Sequence, residues 1–224
     1  MSDTSAPQSP PFRAEHIGSL QRPAFLMEAR GRHAAGDIGA AELRSLEDDA
    51  IRDVVTQQEN LGLKMVTDGE FRRGIYSESF TSSGITGISI QETEDTGWSK
   101  SEEHGHRTAR AIPRVVDKIQ WTGPQNAVDF AFLKSVTSVT PKITIPGPAY
   151  IHYRAGRDNI SRDVYPDLDG FWSDLVAAYH AEMKALAEAG CTYLQIDETS
   201  LVKLGDPRVR RLLADRGDSW DDLL

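Results

Sequence analysis

Apolar positions along the chain fall into two alternating rhythms. Leu43, Leu46, Ala50, Ile51, Val54, Val55 and Leu61 recur at helical spacing, and Gly62 follows where a C-terminal cap belongs. Lys64 to Thr67 then reads as a short strand running into Asp68, Gly69 and Glu70. The same order returns later. Phe171, Trp172, Leu175, Val176, Tyr179, Met183, Leu186 and Ala187 trace one helical face, started by Asp167 and Asp169 and closed by Gly190. An apolar strand at 193–197 follows and ends in Asp197 and Glu198. Helix, glycine, strand and terminal acid form the repeating unit of parallel α/β proteins, whose sites collect at the carboxyl ends of the strands. Glu70 and Asp197 are therefore expected either to converge at one rim of a parallel sheet or barrel, or to cap the helices that come next.

Weaker patterns fill in the rest. Residues 1–11, rich in Ser and Pro, read as a disordered tail. Ala14 to Ser19 predicts a strand ending in a Gly18-Ser19 turn, whose backbone N–H groups either hold an anion or simply reverse the chain. Pro23 then opens a helix over 24–35. Arg72 and Arg73, beside Glu70, either pair locally or bind an anionic substrate. From about 81 to 110, glycines and the alternating Ile85, Ile88 and Ile90 predict a β excursion with a mobile tip. Within it His104 and His106 are either a metal pair short of a third ligand or part of a solvated loop. Residues 111–122 predict a third strand, 127–136 a short helix, and 142–145 a fourth strand stopped by Pro146-Gly147-Pro148. Tyr150, His152, Tyr153 and Arg154 follow, a mixture that suits a planar ligand or ordinary surface packing. Residues 207–216 predict a further helix. Residues 218–222 look like the start of another, from which the natural chain, or its ancestor, is expected to have continued.

Composition narrows the partners more than the fold. The 34 acids outnumber the 25 Lys and Arg among 224 residues, and a net charge of -9 leaves no basic patch for phosphates. Nucleic acid is thereby excluded as a main partner. No stretch approaches the roughly 20 apolar residues of a membrane span, so no membrane partner is expected. The single cysteine, Cys191, excludes an internal disulfide framework and any zinc site built on two thiolates of this chain, and it suits the reducing cytoplasm.

Four segments carry a family resemblance: His16-Ile17-Gly18-Ser19, Val66-Thr67-Asp68-Gly69-Glu70-Phe71, Lys142 to Pro148, and Leu194-Gln195-Ile196-Asp197-Glu198. In that order, over residues 12–224, the chain resembles the C-terminal catalytic barrel of the cobalamin-independent methionine synthases and their short single-domain relatives. The resemblance implies a TIM (β/α)8-type barrel of the methionine synthase and uroporphyrinogen decarboxylase kind. It also implies transfer of a methyl group from methyl-tetrahydrofolate to the thiol of homocysteine, which Zn2+ holds as thiolate. By matched position, Ile17, Gly18 and Ser19 would hold the carboxylate of a homocysteine- or methionine-like amino acid, and Glu70 and Asp197 its ammonium group. Asp197 counts as catalytic as well, with His16 and Glu198 in support and Tyr153 and Arg154 near the pterin. The family's zinc ligands lie beyond the strand that ends at Asp197, so no metal ligand is assigned to this chain. Five predicted strands, against eight for closure, lead to the expectation of a barrel truncated after its fifth strand and inactive alone. Its open edge would be met by a second chain or a homo-oligomer. Two readings stand beside this one: a non-catalytic amino-acid-binding or assembly module, and a related barrel that alkylates another thiol or holds Mg2+ at its acids.

Overall fold

The computed structural model describes residues 15–74, 80–93 and 110–219. Helices α1 (Ala24–Ala34) and α2 (Ala40–Asn60) lead to strand β1 (Met65–Val66). A π-helical turn (Phe80–Gly84) precedes β2 (Ile88–Thr93) and β3 (Arg110–Val115), and α3 (Gln125–Ser135) leads to β4 (Thr140–Pro141) and β5 (Ile143–Pro146). Helices α4 (Ala149–Ala155) and α5 (Leu168–Glu188) come before β6 (Leu194–Asp197), which is followed by α6 (Ser200–Leu204) and α7 (Pro207–Asp215). Among the described residues no helix is long and apolar enough to cross a membrane.

The two repeated units form as their sequences predict, and glycine chemistry ends both helices. After α2, Gly62 at φ 81° sends its N–H to Glu59 O, and Leu63 N–H reaches Gln58 O. After α5, Gly190 at φ 83° sends its N–H to Ala187 O, and Cys191 N–H reaches Leu186 O. This paired closure satisfies orphan carbonyls and requires a left-handed residue, which glycine supplies without a Cβ clash. At the other end of α5 the Asp167 carboxylate accepts from Gly170 N–H at 3.1 Å.

The strands then line up in parallel. β1 pairs with β4, and β5 pairs with β6 in the register Ile143–Leu194, Thr144–Gln195, Ile145–Ile196 and Pro146–Asp197. Because β4 and β5 belong to one extended run, with Lys142 N–H reaching Val66 O, the parallel ladder reads β1, β4–β5, β6. Its alternation is two-faced. Ile143 and Ile145 are buried against Phe171, Leu175 and Tyr179 of α5 and Ala127 and Phe130 of α3. Lys142, Thr144, Tyr193, Gln195 and Asp197 occupy the opposite face. A second apolar cluster joins Leu26, Ala50, Ile51, Val55, Val66, Phe71 and Leu133 under β1.

Four expectations change. The apolar run 111–122 is not a third strand of the parallel sheet: β3 pairs antiparallel with β2, from Ile88–Val115 to Thr93–Arg110, and beyond it only Trp121 bridges, to Ile85. Alternating apolar residues at 88–90 give β3 a nearer partner, so the segment folds back as a hairpin. Residues 15–20 run beside the sheet without strand pairing; Leu20 N–H bonds Gly69 O at 3.1 Å instead. The described parallel sheet therefore has three strand positions, not five. Leu61 stands 79% exposed at the end of α2, and Val176 and Met183 are partly exposed on α5, while Glu47, Gln58 and Glu182 occupy the buried faces. These three are matched: Glu47 pairs with Arg30, Glu182 accepts from Trp121 Nε1 at 2.7 Å and Asn126 N–H at 2.6 Å, and Gln58 bonds both N–H and C=O of Thr67. The predicted helix start at 218–222 and the His104–His106 pair lie, wholly or in part, outside the described residues.

Candidate functional site

The Asp68-Gly69-Glu70 turn follows β1. Thr67 Oγ1 accepts from Gly69 N–H at 3.2 Å and Asp68 Oδ1 from Glu70 N–H at 2.9 Å. These local bonds hold two consecutive left-handed residues, Gly69 at φ 66° and Glu70 at φ 57°. For a residue with a Cβ such a backbone costs about 1–3 kcal/mol and persists only when its surroundings enforce it. Here arginines from the start of the chain do so. Arg22 donates to Glu70 O at 3.1 Å and Arg73 O at 2.6 Å, and Arg30 to Arg73 O at 2.8 Å and Phe71 O at 2.5 Å. The turn thus aims a buried Glu70 side chain at the end of the sheet.

Around that carboxylate the bonds form a chain. Ser19 Oγ donates to Glu70 Oε2 at 2.7 Å. Thr144 Oγ1 donates to Glu70 Oε1 at 3.4 Å and accepts from Arg73 Nη1 at 3.0 Å. Arg73 therefore bonds within the molecule, and Arg72 pairs with Asp48, Glu47 and Asp129, the local alternative for these two cations. The Ser19 hydroxyl, expected to donate to a ligand carboxylate, spends its proton on Glu70.

Asp197 enters from β6. Burial pushes its carboxyl up from the ordinary aspartate value; the Gln195 hydrogen bond lowers it, Glu70 raises it further, and Arg73 and Lys142 oppose. Glu70 and Asp197 meet Ile17, Gly18, Gln195, Ile196, Glu198 and Thr199 around one cleft of about 490 Å³. Among the described residues the Gly18 and Ser19 N–H groups donate to no protein acceptor, and Gly18 lines the cleft. Glu198 does cap: its Oε1 accepts from Ser200 N–H at 2.6 Å and Leu201 N–H at 3.3 Å at the start of α6. A Cβ on Gly147 would lie 2.2 Å from Glu198 Oε2, so only glycine lets the end of β5 pass it.

The remaining candidates lie elsewhere. His16 contributes its carbonyl, which accepts from Lys142 Nζ at 2.6 Å. Tyr153 is buried with Leu204, Val209 and Leu213 beneath α6 and α7, and the Arg154 side chain lies outside the described part. His152 is buried against Trp172, and burial lowers its pKa. The planar-ligand cluster is therefore largely core packing. The residues implied by a zinc site do not fit here: among the described residues no three His, Cys, Asp or Glu groups gather for a metal, and Cys191 packs toward the core with its thiol pushed up by burial. Thr144, Lys142, Tyr193 and Gln195 were not singled out from the sequence as site residues. Their signal is the strand period of two, which puts Tyr193 and Gln195 on the face of Asp197.

Parallel strands, helices packed on their apolar face and an acid-rimmed cleft at their carboxyl ends are the layout of part of a β/α barrel, with the cleft where such folds carry their sites. The chain belongs to the family described as "Cobalamin-independent synthase, Catalytic domain", which matches residues 12–217. It is 34% identical over 198 residues to the uncharacterized protein YxjH of Bacillus subtilis, covering 88% of this chain and 50% of that one. To a methionine synthase of Sulfurisphaera tokodaii it is 31% identical over 188 residues, covering 83% and 51%. A crystal structure of a candidate vitamin-B12 independent methionine synthase from Listeria monocytogenes superposes with a TM-score of 0.68 at 33% identity, covering 88% of this chain and 54% of that one. A B12-independent methionine synthase from Shewanella shares the fold at 20% identity and a TM-score of 0.56. The chain spans about half the length of these two curated relatives, those of Bacillus subtilis and Sulfurisphaera tokodaii.

Proposed function

We propose that the cleft is the amino-acid end of a methionine synthase-like S-methyltransferase site. Glu70 and Asp197 take the ammonium group of homocysteine or methionine, and the Gly18 and Ser19 N–H groups take its carboxylate. Ile17, 69% exposed, and Ile196, 44% exposed, offer apolar surface to the side chain. The observation that carries this reading is the meeting of two carboxylates from distant strand ends with the unspent amide of Gly18 at one cleft. An α-amino acid needs that division of charge. On this reading the methyl group comes from a folate-type donor and goes to the thiol, in the cytoplasm, with zinc activating the thiol in the complete family enzyme and no ligand for it assigned to this chain. No step through that metal is assigned to this chain's described residues.

Isothermal titration of the chain with L-methionine and L-homocysteine tests the proposal. Glu70→Gln and Asp197→Asn should each weaken binding by about tenfold or more, since a hydrogen bond to a charged group is worth about 1.5–3 kcal/mol. Unchanged affinity in both folded variants would sink the assignment.

A further inference from the structure

The turn at Ile17–Ser19 is not woven into the sheet, yet the proposed site needs its amides in a fixed direction. Side chains from the inward face of the sheet hold it. Lys142 Nζ donates to His16 O at 2.6 Å and lies 3.3 Å from Glu15 Oε2, which also accepts from Tyr193 OH at 2.6 Å. Gln195 Nε2 donates to Ile17 O at 2.8 Å. Gln195 differs from the other two because the same nitrogen also donates to the Asp197 carboxylate. Both neighbours are acceptors, so the amide must present its NH2 to them, one hydrogen to each.

We propose that Gln195 is a positioning residue that couples the two ends of the amino-acid site. One hydrogen fixes the Ile17 carbonyl, and with it the Gly18 and Ser19 amides; the other favours the ionised form of Asp197 and aims it into the cleft. The coupling rests on the amino-acid reading above. The groups that act on Asp197 are Glu70 and Arg73 from the turn after β1, Lys142 from the neighbouring strand, and Gln195 on its own strand. Without the Gln195 donor, a half-buried carboxylate faces Glu70 with only the two cations to offset it. Conversely, a protonated Asp197 accepts less strongly and loosens the hold of Gln195 on the turn. The ammonium and carboxylate ends should then fail together as pH falls, in one transition.

Two variants of the whole chain test this. Gln195→Met keeps the length and removes both donors, and Gln195→Glu keeps the shape and sets a second acid beside Asp197. The titration midpoint of the Asp197 carboxyl, followed by carbon-13 NMR, should rise in the order wild type, Gln195→Met, Gln195→Glu. L-Methionine affinity at neutral pH should fall about tenfold in Gln195→Met, in line with a lost charge-assisted bond, and the pH of half-maximal binding should rise in the same order. Wild-type midpoints in either folded variant would overturn the proposal, as would a loss of affinity with no shift in midpoint, which marks packing alone. If the wild-type chain binds no methionine, the amino-acid reading fails and the coupling of two ligand ends fails with it. The NMR order then still decides separately whether Gln195 controls Asp197.

Discussion

Burial pushes the Asp197 carboxyl upward and Glu70 adds to the shift, so the folded state holds its proton more tightly than the unfolded chain does. The sign follows from proton linkage: the contribution is fully present below the unfolded carboxylate pKa and is lost as pH rises through the raised folded value. The ionised form of Asp197 therefore works against stability. Asp197→Asn is expected to melt at or above the wild-type temperature above the ordinary aspartate range, with a flatter pH dependence from the unfolded aspartate value upward. Differential scanning calorimetry across that range checks it, and a lower melting temperature would contradict it. At this scale the sequence was informative about the acids, because each ends a strand. It could not reveal that Ser19 donates to Glu70, or that Gln195 donates to Ile17, because those bonds join residues 51 and 178 positions apart.

Among the elements, the helix ends were the most legible, since a cap is decided by a few neighbouring residues. Gly62 and Gly190 sit at matching positions and φ angles, 81° and 83°, but their surroundings differ. A Cβ at Gly62 meets nothing within 4 Å, whereas at Gly190 it would lie 2.5 Å from Lys134 Nζ, which donates to Ala189 O at 3.1 Å. Gly62→Ala should cost about 1 kcal/mol from the left-handed backbone alone. Gly190→Ala should cost more, because Lys134 must also leave the last turn of α5. Urea denaturation of the two variants side by side measures the difference; equal losses would mean that Lys134 moves freely. The strand at 111–122 was illegible for the opposite reason. Its alternation is the same whether its partner is a parallel sheet or a hairpin, and the partner, 88–93, is specified only by pairing.

For the whole molecule, the class of fold was legible because the helix and strand rhythms alternate, and its assembly was not. Assembly depends on buried polar pins. Glu182, fully buried on α5, caps the start of α3 through Asn126 N–H and takes the indole N–H of Trp121, so one carboxylate joins three segments. Helical periodicity suggests nothing of this, because an acid on a buried face reads as an error in the pattern. Glu182→Gln leaves one of those donors facing an NH2 group, and is expected to cost about 2 kcal/mol in chemical denaturation. A neutral result would mean that the three segments are held by apolar contact alone.

The left-handed backbone at Glu70 also bears on how this chain would respond to selection. Glycine or asparagine would relax that position, since both enter the left-handed region more readily than glutamate. Either would withdraw the carboxylate from its place beside Ser19 and Thr144. A library screened for heat resistance alone should therefore drift toward Gly or Asn at position 70, and one screened for ligand capture should return Glu. Divergence between the two screens at that single codon would record how much foldedness the site gives up to keep its charge.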